Sequence, residues 1–246
     1  MIKQLTLFTG LALALATSPQ SMAAKYQVVD VANGGSISGS VNFSGKDPEP
    51  VVFKISKDND VCGDGTREVD FVRTRDGKLL DVMVYLQKVK QGKPFPKKLE
   101  KAQILQQDCE FKPWVTLMVN GGEADIVNED PVLHNIHTYE LIGKAKKTVM
   151  NISQPDKGVI KKKVKLKRGV AMKIECDAHD FMHAFAFVPK NPYFALVDDN
   201  GNFSIDQVPP GKYKIVAIHG TLGSQKGKVE VAPGGQATVD FSFKGK

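Results

Sequence analysis

No extended stretch of the 246-residue chain repeats apolar residues at helical spacing, which argues against a helix bundle or an α/β architecture. Long apolar runs are scarce too. The one of any length, residues 5–16, falls short of the roughly 20 residues needed to cross a bilayer. It follows Lys3 and precedes Ser21-Met22-Ala23-Ala24, the layout of a secretory signal cut after Ala23. The rest is therefore expected to be exported, to the periplasm or beyond, without membrane insertion. No cysteine stands at the cut, so no lipid attachment is expected. The chain also lacks a nucleophile elbow and an HExxH helix, which leaves hydrolytic chemistry without residues to rest on.

What the chain does have is strand-forming material, with 22 Gly and 13 Pro punctuating short alternating runs. Ser36-Ile37-Ser38-Gly39-Ser40-Val41-Asn42-Phe43 and residues 51–55 read as strands, and residues 58–67 as a polar loop carrying Cys62. After the Asp76-Gly77 turn, residues 79–89 form a strand with Val82, Val84 and Leu86 on one face. Residues 99–105 read as a short helix. Residues 115–120 and 123–128 are strands, and Asp130-Pro131 breaks the chain before His134. Two hairpins then fill residues 139–166 around Pro155-Asp156-Lys157-Gly158. The expected fold class is all-β.

Three cysteines leave one over in a compartment that oxidises thiols. Cys62 and Cys109 sit in polar, turn-like surroundings without a nearby histidine, and we pair them as a disulfide. Cys176 ends Val170-Ala171-Met172-Lys173-Ile174-Glu175-Cys176, where positions 170, 172, 174 and 176 share the buried face. His179 and Met182 follow in a tight loop. A lone exported thiol oxidises unless something occupies it. Thiolate, imidazole and thioether together suit one copper ion that exchanges a single electron. His134 is the best second imidazole, because parity with Ile136 turns it inward and turns His137 outward. His137 and His183 remain alternative ligands. Phe181, Phe185, Phe187 and Met172 are candidates for an apolar surround.

Asn128-x-Asp130-x3-His134-Asn135 followed by Cys176-x2-His179-x2-Met182 resembles the cupredoxin, or blue copper, family, and the short second loop is closest to the amicyanin type. The resemblance covers residues 79–190 and implies a Greek-key sandwich with mononuclear copper at one end. It implies His134, Cys176 and His179 as equatorial ligands, Met182 as axial ligand, and Asn135 as the residue tying the two ligand loops together. Asp180 stands where amicyanin-like loops often carry Pro. A second stretch, Asp199-x-Gly201-x-Phe203 followed by Val208-Pro209-Pro210-Gly211-x-Tyr213, is similar to the carboxypeptidase regulatory-like (transthyretin-like) sandwich. That likeness implies a smaller second β-sandwich over residues 191–246, with strands from residues 24–78 completing it, and no activity.

The formal net charge is +7, and Lys161, Lys163, Lys165 and Lys167 alternate along one strand. Such a row blunts a sheet edge, and it also suits docking of an acidic redox partner. Nucleic acid is not expected, since no aromatics interleave with the lysines. The function expected is one-electron transfer by a type 1 copper protein that is not an enzyme. Non-redox copper delivery and a structural interaction module stand as the alternatives.

Overall fold

The computed structural model describes residues 26–245, so the signal expected over residues 1–23 lies outside them. The described chain is all-β apart from two short turns of helix. Four larger sheets form two facing pairs. In the first pair, a four-stranded sheet runs in the order Glu110–Lys112, Lys101–Gln107, Glu123–Asn128, Gly158–Lys163. Opposite it lies a five-stranded sheet in the order Val115–Leu117, His183–Phe187, Ala171–Glu175, His134–Ile142, Ala145–Gln154. Strict alternation decides what each sheet buries: Ala102, Ile104 and Ile126 from one meet Ile136, Met172, Ile174 and Ala184 from the other in a shared core.

Two local expectations change here. Residues 99–105 are not a helix: a 3-10 turn, Lys97–Leu99, leads into the Lys101–Gln107 strand, which buries Ala102, Ile104 and Gln106. This strand lies parallel to Glu123–Asn128, and the period-two burial that the partner offers outweighs a weak helical preference. The second hairpin is not one either. Ala145–Gln154 pairs with His134–Ile142, whereas Gly158–Lys163 pairs with Glu123–Asn128 in the facing sheet. The Pro155-Asp156-Lys157-Gly158 turn thus carries the chain across the edge of the sandwich.

The second pair sets a sheet of Phe194–Leu196, Val82–Leu86, Gly211–His219 and Gly223–Val231 against strands gathered around Gly35–Ser44. Gly35–Ser44 pairs with Asn202–Val208 and, in parallel, with Gln236–Thr238 and Phe241–Lys244, so the first long strand does join the C-terminal ones. The Val82–Leu86 strand hydrogen-bonds to Gly211–His219 and Phe194–Leu196. Its Val82, Val84 and Leu86 enter this second core, while Met83 on its other face packs with Val170, Ala171 and Phe187 of the first pair. One apolar layer therefore joins the two sandwiches.

The strand at Val51–Lys54 takes no part in the C-terminal sandwich. It forms a separate hairpin with Thr66–Val69, and Ile55 and Phe53 pack on the first core. Between the two strands the chain makes one helical turn, Asn59–Cys62, close to the end of the first sandwich where His134 and Cys176 emerge.

Candidate metal centre

His134 opens the His134–Ile142 strand, and Cys176 follows the last residue of its neighbour Ala171–Glu175. Adjacent strands therefore deliver the imidazole and the thiol at one sheet end. The loop before His134 is held by buried Asn128, whose side-chain amide donates to the carbonyls of Val132 (3.1 Å), Gln154 (3.3 Å) and Asp156 (3.2 Å). The loop after Cys176 folds on itself: the Met182 amide donates to the His179 carbonyl (3.0 Å), and the Cys176 amide to the Met182 carbonyl (3.3 Å).

The metal-competent atoms of His134, Cys176 and His179 all lie within 4.8 Å of one another, and all three residues are buried. The Nδ1 atoms of His134 and His179 are 3.2 Å apart, and the Cys176 sulfur is 3.8 Å from His179 Nδ1. Met182 is buried in the same core cluster, beside Cys176 and Phe181. The outer nitrogens are also engaged. His134 Nε2 lies 2.7 Å from Asp130 Oδ2, and His179 Nε2 lies 2.9 Å from Asp58 Oδ2.

This pattern tests whether the residues fit a metal. A carboxylate accepts, so each Nε2 carries a hydrogen, which leaves each Nδ1 free to turn a lone pair inward. Two lone pairs at this separation repel unless a proton or a metal cation lies between them, and a thiol sulfur is the nearest third donor. The set fits a soft or borderline cation with nitrogen and sulfur preference.

Electrostatics agree with that reading. Burial pushes the Cys176 thiol up from its ordinary value, against the backbone N–H groups of Asn135, Ala178 and His179 that point at the sulfur. Burial likewise pushes His179 down, with Asp58 opposing and His134 adding to the effect. Both shifts favour neutral groups in the absence of a positive ion, and a bound cation would reverse the preference at the sulfur. Burial alone would raise the Asp130 carboxyl. The amide of Cys109, the His134 ring and the amide of Asp108 outweigh it, holding Asp130 below the ordinary carboxylate range.

Asn135 links the segment of His134 to that of Cys176: its amide donates to the Cys176 sulfur (3.3 Å), and its side-chain oxygen accepts from the Asp177 amide (3.1 Å). His137 lies on the outer face, stacked on Tyr139 and 3.0 Å from Asp177 Oδ1, outside the cluster. His183 is outside it as well. It pairs with Glu175, so it projects from the face opposite Ile174 and sits among Phe53 and Phe71. Phe185 and Phe187 share that outer face, so only Phe181 and Met172 of the expected apolar surround pack in the core with Cys176. Cys62 and Cys109 form the expected disulfide. Lys161 and Lys163 lie on the edge strand of their sheet, and Lys161 is 3.5 Å from Asp125. Lys165 and Lys167 follow that strand as exposed residues.

Sequence reasoning passed over the two carboxylates. Asp130 stands inside the Asn128-to-Asn135 motif with no role that the motif assigns, and Asp58 lies in a stretch whose composition marks only a polar loop. An acid four residues before an inward-facing histidine is a usable signal for Asp130. Nothing local in sequence connects Asp58 to His179, 121 positions away.

The sequence matches no protein-family model and none of the curated proteins. Among solved structures, it is similar to a purple cupredoxin from Nitrosopumilus maritimus (14% identity, 36% of this chain and 98% of that one, TM-score 0.30). It is also similar to amicyanin from Paracoccus versutus (14% identity, 35% of this chain and 79% of that one, TM-score 0.29). A third likeness is to a copper-containing nitrite reductase from Thermus scotoductus (14% identity, 61% of this chain and 28% of that one, TM-score 0.29). These scores are too low to assign a centre, so its chemistry is taken from its own residues.

Proposed function

We propose that the chain is an exported type 1 copper protein that passes single electrons through one ion held by His134, Cys176, His179 and Met182. The observation that carries this reading is the convergence of two inward Nδ1 atoms on the Cys176 sulfur while a buried carboxylate, Asp130, and a half-buried one, Asp58, hold the outer nitrogens. Copper bound there would supply the Cu(II)/Cu(I) couple. The protein's part is to keep the donors still. His134 and Cys176 are set by adjacent strands, the 176–182 loop is closed by its own backbone bonds, and the Asn135 bridge fixes one loop on the other. Donors that cannot rearrange suit a couple whose two states must share one geometry. The N–H groups aimed at the sulfur stabilise the thiolate and so tune the potential.

Delivery of copper to another protein is the alternative, and it needs a ligand that a partner can reach. The His134 and His179 side chains have no exposed surface, which favours retention over hand-over. The lysine row suits an acidic redox partner, an association that salt would weaken.

The deciding experiment is an optical and EPR spectrum of the copper-loaded protein lacking residues 1–23. An intense visible thiolate-to-copper band, lost in Cys176→Ser, is expected. A colourless Cu(II) complex of correct stoichiometry would overturn the proposal.

A further inference from the structure

Of the two carboxylates that cap the imidazoles, Asp58 lies in the segment that carries Cys62, and Asp130 accepts from the amide of that cysteine's disulfide partner. Asp58 precedes the Asn59–Cys62 turn, and its carbonyl accepts from the amides of Val61 (3.0 Å) and Cys62 (2.8 Å). Its backbone is left-handed, at φ 54°. Cys62 is bonded to Cys109. The Cys109 amide in turn donates to Asp130 Oδ2 (2.9 Å), the same oxygen that meets His134 Nε2. Arg67 reinforces the junction: its guanidinium donates to the carbonyls of Cys62 (3.1 Å), Cys109 (2.7 Å) and Asp108 (3.1 Å). The same guanidinium lies 5.0 Å above the ring of Phe181, inside the ligand loop.

These contacts make one connected unit. It begins at the ring of His179, passes through Asp58, the helical turn and the disulfide, and returns through Asp130 to the ring of His134. No strand ladder holds Asp58 in place, since residues 55–65 connect the two strands of a small hairpin. An isolated helical turn of four residues has no stability of its own. The covalent bond, Arg67 and the packing of Ile55 and Val61 on the first core keep it against the site.

We infer that Asp58 is a positioning residue for the metal centre, and that the Cys62–Cys109 bond closes the 55–65 segment over His179. The rate at which metal leaves, and the rate at which reagents reach the Cys176 thiol, are then set by this clamp more than by the ligand loop. The inference rests on the copper reading for the first rate and not for the second.

Three variants test it: Asp58→Gly, Asp58→Asn, and the pair Cys62→Ala with Cys109→Ala. Glycine accepts the left-handed backbone, so Asp58→Gly removes the carboxylate without straining the turn. Far-ultraviolet circular dichroism checks the fold of each. In metal-free protein, with the disulfide intact in the Asp58 variants, the reaction of Cys176 with a chromogenic disulfide reagent should run about tenfold faster or more in Asp58→Gly and in the double alanine variant. Asp58→Asn, which still offers an acceptor oxygen, should recover part of the wild-type protection. In copper-loaded protein, removal of Cu(II) by a chelator should accelerate about 10- to 100-fold in the same order. Cys176 reactivity within about twofold of wild type in a folded Asp58→Gly variant would overturn the inference. Failure of wild type to bind copper would sink the proposed function, leaving the metal-free thiol measurement to decide the clamp.

Discussion

Replacing Asp130 puts the central physical claim under direct strain. The carboxylate is nearly buried and accepts three hydrogen bonds, from the amides of Asp108 (2.9 Å) and Cys109 (2.9 Å) and from His134 Nε2 (2.7 Å). In Asp130→Ala the Asp108 amide can turn to water, because that residue is exposed, but Cys109 and His134 are fully buried. Two donors are then stranded, each at about 1–3 kcal/mol, so the variant should lose about 2–6 kcal/mol of stability. Asp130→Asn keeps the shape and can keep an oxygen at the Oδ2 position. It loses only charge assistance and one bond to an exposed amide, about 1–2 kcal/mol.

The order wild type, Asn, Ala should appear in the urea midpoints of the metal-free protein, with unchanged slopes. Copper affinity should follow the same order and fall about 10- to 100-fold in the alanine variant, because an unpinned ring no longer offers Nδ1 by default. An alanine variant within about 0.5 kcal/mol of wild type would refute the claim that these donors lie beyond the reach of water. Unchanged affinity would refute the idea that the carboxylate orients the ring.

Two further outcomes follow from groups away from the site. Glu140 is buried, and its Oε1 accepts from the amides of Arg168 and Gly169 at 2.5 and 2.6 Å. Burial alone would raise its carboxyl, but these amides and that of Lys167 hold it below the ordinary value of 4.5. A depressed folded pKa stabilises fully above the unfolded one and fades as pH falls through the folded one. Glu140→Gln should therefore be less stable than wild type at pH 7, with the gap narrowing below about pH 4.5 in urea titrations. Gly39 lies in the Gly35–Ser44 strand, where a Cβ would fall 1.9 Å from the Val239 carbonyl oxygen. Backbone cannot rotate away as a side chain can, so Gly39→Ala should cost on the order of 3 kcal/mol, read as a lowered melting temperature.

The elements read from sequence hold best where alternation is strict. Residues 123–128 are a strand with the expected bounds, and Val82, Val84 and Leu86 do share one face. They hold least where pairing partners decide. The Lys101–Gln107 segment became a strand because Glu123–Asn128 presents an edge to it, and the turn at residues 155–158 changes sheets because Gly158–Lys163 has its partner across the core. Neither partner can be seen within a local window. The same division runs through the centre. Parity alone turned His134 inward and His137 outward, since the strand at His134–Ile142 keeps its period of two. His183 could not be judged that way, because its face depends on pairing with Glu175 across the strand turn.

By itself, the chain's order of residues determined an all-β body, a disulfide between Cys62 and Cys109, and a thiol, thioether and imidazole spaced to meet in one loop. These rest on short-range periodicity and on redox chemistry, which a linear string carries. Only the tertiary structure decided that Asp58 and Asp130 face the outer nitrogens and so turn both inner ones on the sulfur. Hydrogen-bond partners of buried rings are chosen by whichever backbone arrives beside them. For His179 that backbone comes from a hairpin 121 residues away, delivered by sheet packing and held by a covalent bond.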